Sequence, residues 1–221
     1  MGSKLRAAYD RAFAKIQDDI LKMGTMVDQA IFQSVEALKN RDQVLAKEVI
    51  DADVDINALR FAVEEAVLAL IATQQPAASD LRAAVAAMNI VVEMERMADH
   101  ASGIAKTVIL MGDEPLLKPL IDIPRMTDLS RQMLSDCLQA YVDRDASKAR
   151  NIASRDDEMD QYYKAVFDEL VEIMADKPDS VERATYLLWC AHNLERISDR
   201  VTNIAERVIF VATGDLKELN T

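Results

Sequence analysis

The feature that most constrains this chain is that it repeats itself. Glu95–Ile109 reads ERMADHASGIAKTVI and Glu195–Ile209 reads ERISDRVTNIAERVI, with seven of 15 positions identical at an offset of 100. Each segment then reaches a Gly-Asp pair, Gly112-Asp113 and Gly214-Asp215. Upstream, Leu38–Asp42 and Tyr141–Asp145 both end in Arg-Asp at an offset of 103, which also lays Asp53 on Asp156, Ile56 on Met159 and Asn57 on Asp160. The three-residue change in offset falls between Gln74–Ser79 in one half and Asp176–Ser180 in the other. A proline-bearing connection between helices tolerates such a change. Self-similarity of this kind implies two copies of one folding unit.

That unit is helical. The chain has only five glycines and five prolines, and helix-forming Ala, Leu, Met, Glu, Lys and Arg dominate it. Leu194, Ile197, Val201, Ile204, Val208 and Val211 recur at 3-4 spacing, as do Met94, Met97, Ala101, Ile104 and Val108. Each set makes a bundle seam. Leu45, Val49, Ala52, Ile56, Leu59 and Val63 make another. The pattern predicts helices at about Ser3–Lys39, Asp42–Thr73 and Ser79–Met111, then Met126–Asp143, Asp145–Ala175 and Ser180–Thr213. Ser79 and Ser180 are the expected N-caps, and Gly112 and Gly214 the expected C-terminal glycines. Asn40-Arg41-Asp42 and Asp143-Arg144-Asp145 read as tight turns that make the first two helices of each half antiparallel. Pro115, Pro119 and Pro124 mark a linker. The expected architecture is all-α: two tandem three-helix bundles, 1–112 and 126–221, joined by a linker at 113–125.

The last helix of each half carries acids. Glu195 and Asp199 lie four apart, roughly opposite the seam, with Asn203 and Glu206 extending the stripe; Glu95 and Asp99 repeat the pair. On the second helix Asp53 and Asn57 flank the seam, and Asp156 and Asp160 take those places in the second half. If the two helices lie side by side, both pairs face one surface. Like charges at i, i+4 oppose the helix by a few tenths of a kcal/mol, about what one ion pair contributes. A hard cation between them reverses the sign, and carboxylates suit Mg²⁺, Mn²⁺, Fe or Ca²⁺. The plain alternative is a solvated face, with Arg96, Arg196 and Arg200 answering the acids.

The formal net charge of −12 argues against direct nucleic-acid binding. Cys137 and Cys190 are unpaired in sequence and read as buried, reduced thiols. No signal segment or apolar run long enough to span a bilayer is visible, so a cytoplasmic protein is expected. There is no P-loop, no GxSxG and no Cys-His site, and no enzyme is expected. A carboxylate-bridged storage or oxidase bundle is the alternative, but its Glu-x-x-His motif is absent: Ala98 and Ser198 stand three after Glu95 and Glu195. Of His100 and His192, the only histidines, the first reads as an exposed helix residue, with an extra ligand or pH-sensitive contact beside Asp99 as the alternative, and the second as structural. Trp189 and Tyr162-Tyr163 read as packing residues, with a partner anchor as the alternative. Met23, Gly24 and Met26 read as a kink or a partner-facing surface.

At the acidic motifs the sequence resembles the PhoU family of phosphate-signalling proteins. The matching elements are Glu95-Arg96-Met97-Ala98-Asp99, Glu195-Arg196-Ile197-Ser198-Asp199 with Asn203-Ile204-Ala205-Glu206 following, and Gln75-Pro76-Ala77-Ala78-Ser79-Asp80-Leu81-Arg82, a QPxAxDLR stretch. The resemblance covers nearly the whole chain. It implies two three-helix bundles related by a pseudo-two-fold, with metal ions on the bundle surface held by acidic motifs. By position the ligands would be Asp53, Asn57, Glu95 and Asp99 in one half and Asp156, Asp160, Glu195 and Asp199 in the other. Asn57 departs from the pattern, leaving the first site one charge weaker. Iron, manganese, magnesium or zinc are the implied metals. The resemblance further implies a negative regulator of phosphate uptake and of the phosphate-starvation response. Such an adaptor couples the ATPase of a phosphate ABC transporter to a sensor histidine kinase and reaches the membrane only through these partners. A homodimer is also expected.

Overall fold

The computed structural model describes the backbone of residues 2–215 and 219, with side chains from Arg6 onward. Among the described residues every regular element is helical: α1 (Gly2–Asn40), α2 (Gln43–Gln74), α3 (Ser79–Met111), α4 (Asp122–Asp143), α5 (Ala146–Ala153), α6 (Asp156–Asp176) and α7 (Val181–Thr213), with a 3₁₀ turn at Pro178–Ser180 before α7. The helices α1–α3 form one bundle, and α4–α7 form the second.

The Arg-Asp turns explain the antiparallel packing. Arg41 and Arg144, equivalent in the repeat, both adopt left-handed backbone (φ 59° and 52°). Asp42 and Asp145 then cap the next helix: one carboxylate oxygen of each accepts two backbone N–H bonds at 2.9 Å, from Val44 and Leu45 and from Ser147 and Lys148. Gly112 and Gly214 end α3 and α7 at positive φ, as expected.

The serines do not cap. Ser79 is the first residue of α3 and Ala78 holds the cap position without a side-chain bond. Ser180 has helical backbone, and its hydroxyl donates backwards to the Lys177 carbonyl at 2.6 Å. An N-cap needs extended backbone to aim its oxygen at the helix amides, and the 3₁₀ turn denies Ser180 that geometry. Ala78 carries strain (φ 44°, ψ −110°), a conformation a Cβ disfavours by about 1–2 kcal/mol. Ala78→Gly is therefore expected to stabilise the protein by about 1 kcal/mol, read as a rise in thermal midpoint of roughly 2–4 °C.

Two helix boundaries differ from the sequence expectation. The predicted helix Asp145–Ala175 is two pieces. At the break the Arg155 N–H bonds three residues back to Ile152 and not four, and Asp156, Asp157 and Glu158 then crowd the first turn of α6, where the helix dipole favours acids. α4 starts at Asp122, not Met126. Pro124 sits inside its first turn, where the missing N–H would have no intrahelical partner anyway.

Between the bundles, α3 lies along α7 and α1 meets α4, so each of these four helices packs on its own repeat equivalent. The polar contacts obey the same symmetry. Glu93 pairs with Arg200 (3.4 Å), and their equivalents Asn193 and His100 hydrogen-bond at 2.9 Å. Asp28 and Arg131, equivalent at offset 103, pair with each other through two bonds of 2.8 and 2.9 Å. Small residues allow the close approach: a Cβ on Gly24 of α1 would collide with Leu138 of α4. Met23 is fully buried and α1 runs unbroken through Gly24, so Met23-Gly24 marks neither a kink nor an external surface.

Candidate functional site

α6 and α7 bring the second-half acids together. Asp156, Asp160, Glu195 and Asp199 line one open depression of about 610 Å³ with Asp157, Arg150 and Arg196. Asp156 accepts a bond from the Ser198 hydroxyl at 2.8 Å. Arg196 donates to Asp199 at 2.9 Å, and its Nε stands 3.2 Å from Glu195 Oε2. The alignment is not that of a hydrogen bond, so this buried oxygen has no hydrogen-bond partner. Burial first, then Asp199, push the Glu195 carboxyl above its ordinary range; Arg196 opposes this, and Asp160 and Asp156 add to it. Like charges held in a partly desolvated place produce that shift.

The first half is a partial copy. Asp53 of α2 lies within the field of Asp99 of α3; burial and then Asp99 raise its carboxyl, while Lys106 and the Asn57 bond hold it back. Asn57 donates to Asp53 Oδ2 at 2.9 Å, and Asp53 Oδ1 is buried with no hydrogen-bond partner. Glu95 is drawn aside to Arg60 (3.2 Å), which also pairs with Glu64 at 3.1 Å.

As the side chains stand, no group of three or more acids, histidines or cysteines among the described residues is placed to hold a metal ion. The guanidiniums of Arg196 and Arg60 supply the positive charge instead. Each half nonetheless has one buried carboxylate oxygen with no hydrogen-bond partner, Asp53 Oδ1 and Glu195 Oε2. The first-half candidates are carboxylate and amide oxygens, and the second-half candidates are all carboxylates. This chemistry fits a hard cation better than zinc.

Other readings change in the structure. Arg96 and Arg200 answer Glu93, not the motif acids. Asn203 also bonds Glu93 (3.0 Å), and Glu206 is buried and accepts the Leu219 N–H at 2.7 Å, so these two do not extend a solvated acidic stripe. His100 bridges the halves and is not simply exposed. Trp189, stacked edge-on to Tyr186, is 49% exposed and does not pack inside the bundle. Both cysteines are buried and free, with burial pushing the Cys190 thiol up to about 12. Sequence reasoning missed Asp157, Ser198 and Arg150. Ser198 lies inside the ERISD motif, but its bond to Asp156 depends on how α7 meets α6.

Comparison with known proteins matches this arrangement end to end. The PhoU domain profile matches residues 20–108 and again 123–208. A Clostridium acetobutylicum protein named phosphate-specific transport system accessory protein PhoU homolog is 35% identical over 216 residues, covering 97% of this chain and 99% of its own. A Streptococcus pneumoniae homolog of the same name is also 35% identical, covering 98% of this chain and all of its own. The crystal structure of a PhoU phosphate transport system regulatory protein from Streptococcus pneumoniae superposes with a TM-score of 0.89 at 34% identity, covering 96% of this chain and all of that one. PhoU from Pseudomonas aeruginosa gives the same TM-score at 30% identity, covering 94% of this chain and all of that one. Two copies of the domain, relatives matched along their full length and a shared fold agree: the chain belongs to the PhoU family.

Proposed function

We propose that the protein regulates phosphate transport as a cytoplasmic, non-enzymatic adaptor. It restrains phosphate uptake and the phosphate-starvation response through contacts with the transporter ATPase and the sensor histidine kinase. The observation that carries this reading is the match along nearly the whole chain to relatives named as phosphate transport accessory proteins. The absence of a membrane-crossing helix among the described residues is compatible with an adaptor that reaches the membrane through partners. The acidic faces are read as cation sites in each half, the second stronger because it has four motif carboxylates where the first has three and Asn57.

The test uses a strain lacking the gene, grown in ample phosphate, with a starvation-response reporter. The wild-type gene is expected to silence the reporter. Asp99→Ala combined with Asp199→Ala, at equal folded protein, is expected to leave it on. If the double variant silences it fully, regulation does not need the acidic faces. If the wild-type gene fails to silence it, the regulatory reading is lost.

A further inference from the structure

The outer face of α2 is apolar where a surface helix should be polar. Val54, Phe61 and Leu68 are 69%, 54% and 56% exposed. Ala58, Glu65 and Ala72 interleave with them, all exposed. The spacing is 4-3-4-3-4, directly opposite the buried seam of Ile56, Val63, Val67 and Leu70. One helix therefore has two seams, and only the inner one is covered. A 3.5-residue apolar repeat is the pattern by which a helix receives another helix.

The repeat supplies an internal control. The equivalent exposed positions on α6 are Asp157, Gln161, Lys164, Asp168, Val171 and Ala175. Only Val171 and Ala175 stay apolar. The fold thus tolerates a polar row here, and folding does not call for the apolar row on α2.

Charge identifies the occupant. Asp51, Asp53, Asp55 and Glu64 flank the row, and Glu65 lies in it. The bases nearby are Lys47, before the row begins, Lys106 of α3, which acts on Asp53, and Arg60, which is paired with Glu64 and Glu95 and lies 4.6 Å over the Phe61 ring; the five acids outnumber these three bases. A second copy docked here would set acid against acid, which costs affinity. We propose that this face docks a basic amphipathic helix of another protein, seated along Val54, Phe61 and Leu68. From Val54 to Ala72 the row runs about 27 Å, room for roughly five turns of the partner.

The test is independent of the regulatory reading, because it contains neither transporter nor kinase. A labelled 21-residue helical peptide with Leu at its a and d positions and Lys at e and g is titrated with the full-length protein, followed by fluorescence anisotropy. A twin peptide carries Glu in place of Lys. The Lys peptide is expected to bind at least about tenfold more tightly than its twin. Phe61→Glu with Leu68→Glu is expected to weaken it at least about tenfold at unchanged circular dichroism, and Phe61→Ser with Leu68→Ser to weaken it as well. Val171→Glu on α6 should leave binding as it was. Both glutamates add negative charge, so a merely nonspecific attraction would tighten. Unchanged or tighter binding in the paired variants overturns the proposal. So does a wild-type dimer in sedimentation that the same variants split, because the face would then belong to a second copy.

Discussion

Ile104→Ala should lower the unfolding midpoint seen by Trp189 fluorescence as far as it lowers the helical signal of the whole chain. Ile104 lies fully buried in α3, in the first half, and Trp189 lies in α7, in the second. Truncating such a residue costs about 3 kcal/mol from lost transfer energy and the cavity left behind. In a protein of this size that is a fall of about 6–12 °C. The two probes move together because α3 and α7 are the most extensively packed helix pair, with Glu93–Arg200 and His100–Asn193 tying them along their length. Each of these helices serves its own bundle and is also a wall of the other. A biphasic melt, with the Trp189 transition unmoved, would mean that the halves unfold independently.

Saturating Mg²⁺ or Mn²⁺ should stabilise the protein, and Glu195→Gln with Asp199→Asn should remove much of that gain while stabilising the metal-free protein. The two signs have one cause. The raised Glu195 carboxyl marks a charge that the metal-free fold holds at a cost. Because its folded-state value lies above the unfolded one, stability is greatest below the ordinary carboxylate range and falls as pH rises through the folded-state value. At neutral pH the whole penalty is present, and the neutral amides relieve it. A bound cation relieves it differently, contributing about 2.7 kcal/mol at a hundredfold excess over its dissociation constant. Thermal melts with and without the ion at neutral pH check both signs. Equal shifts in wild type and variant would sink the assignment of this face as a cation site.

Much of the fold was legible because the 3-4 apolar spacing fixes which face of each helix is inward. Asp42 and Asp145 marked both turns. The break at Ser154-Arg155 was not legible, because Ile152, Met159, Val166 and Leu170 are buried on both sides of it and keep a helical period across the interruption. Only the run of acids after Arg155 hinted at a fresh helix start. Pro124 read as linker although a first turn accepts it. At the candidate site, spacing indicated which acids share a helix face, but the partners of the arginines depend on which helices meet. Arg200 reaches across to Glu93, and Arg60, outside every motif, draws Glu95 aside. Such contacts belong to tertiary packing, and no local pattern carries them.

The pairing of α1 with α4 and of α3 with α7 also bears on assembly. Two like units that meet through equivalent helices are a two-fold dimer in which both partners sit on one chain, and such an arrangement is closed: neither unit has that face left to offer. Further copies or partners must therefore use surfaces away from this axis. The units have diverged along the outer rows of α2 and α6, so a visitor to the apolar row of one unit meets a largely polar row on the other. A single chain can in this way present two different addresses from one duplicated scaffold.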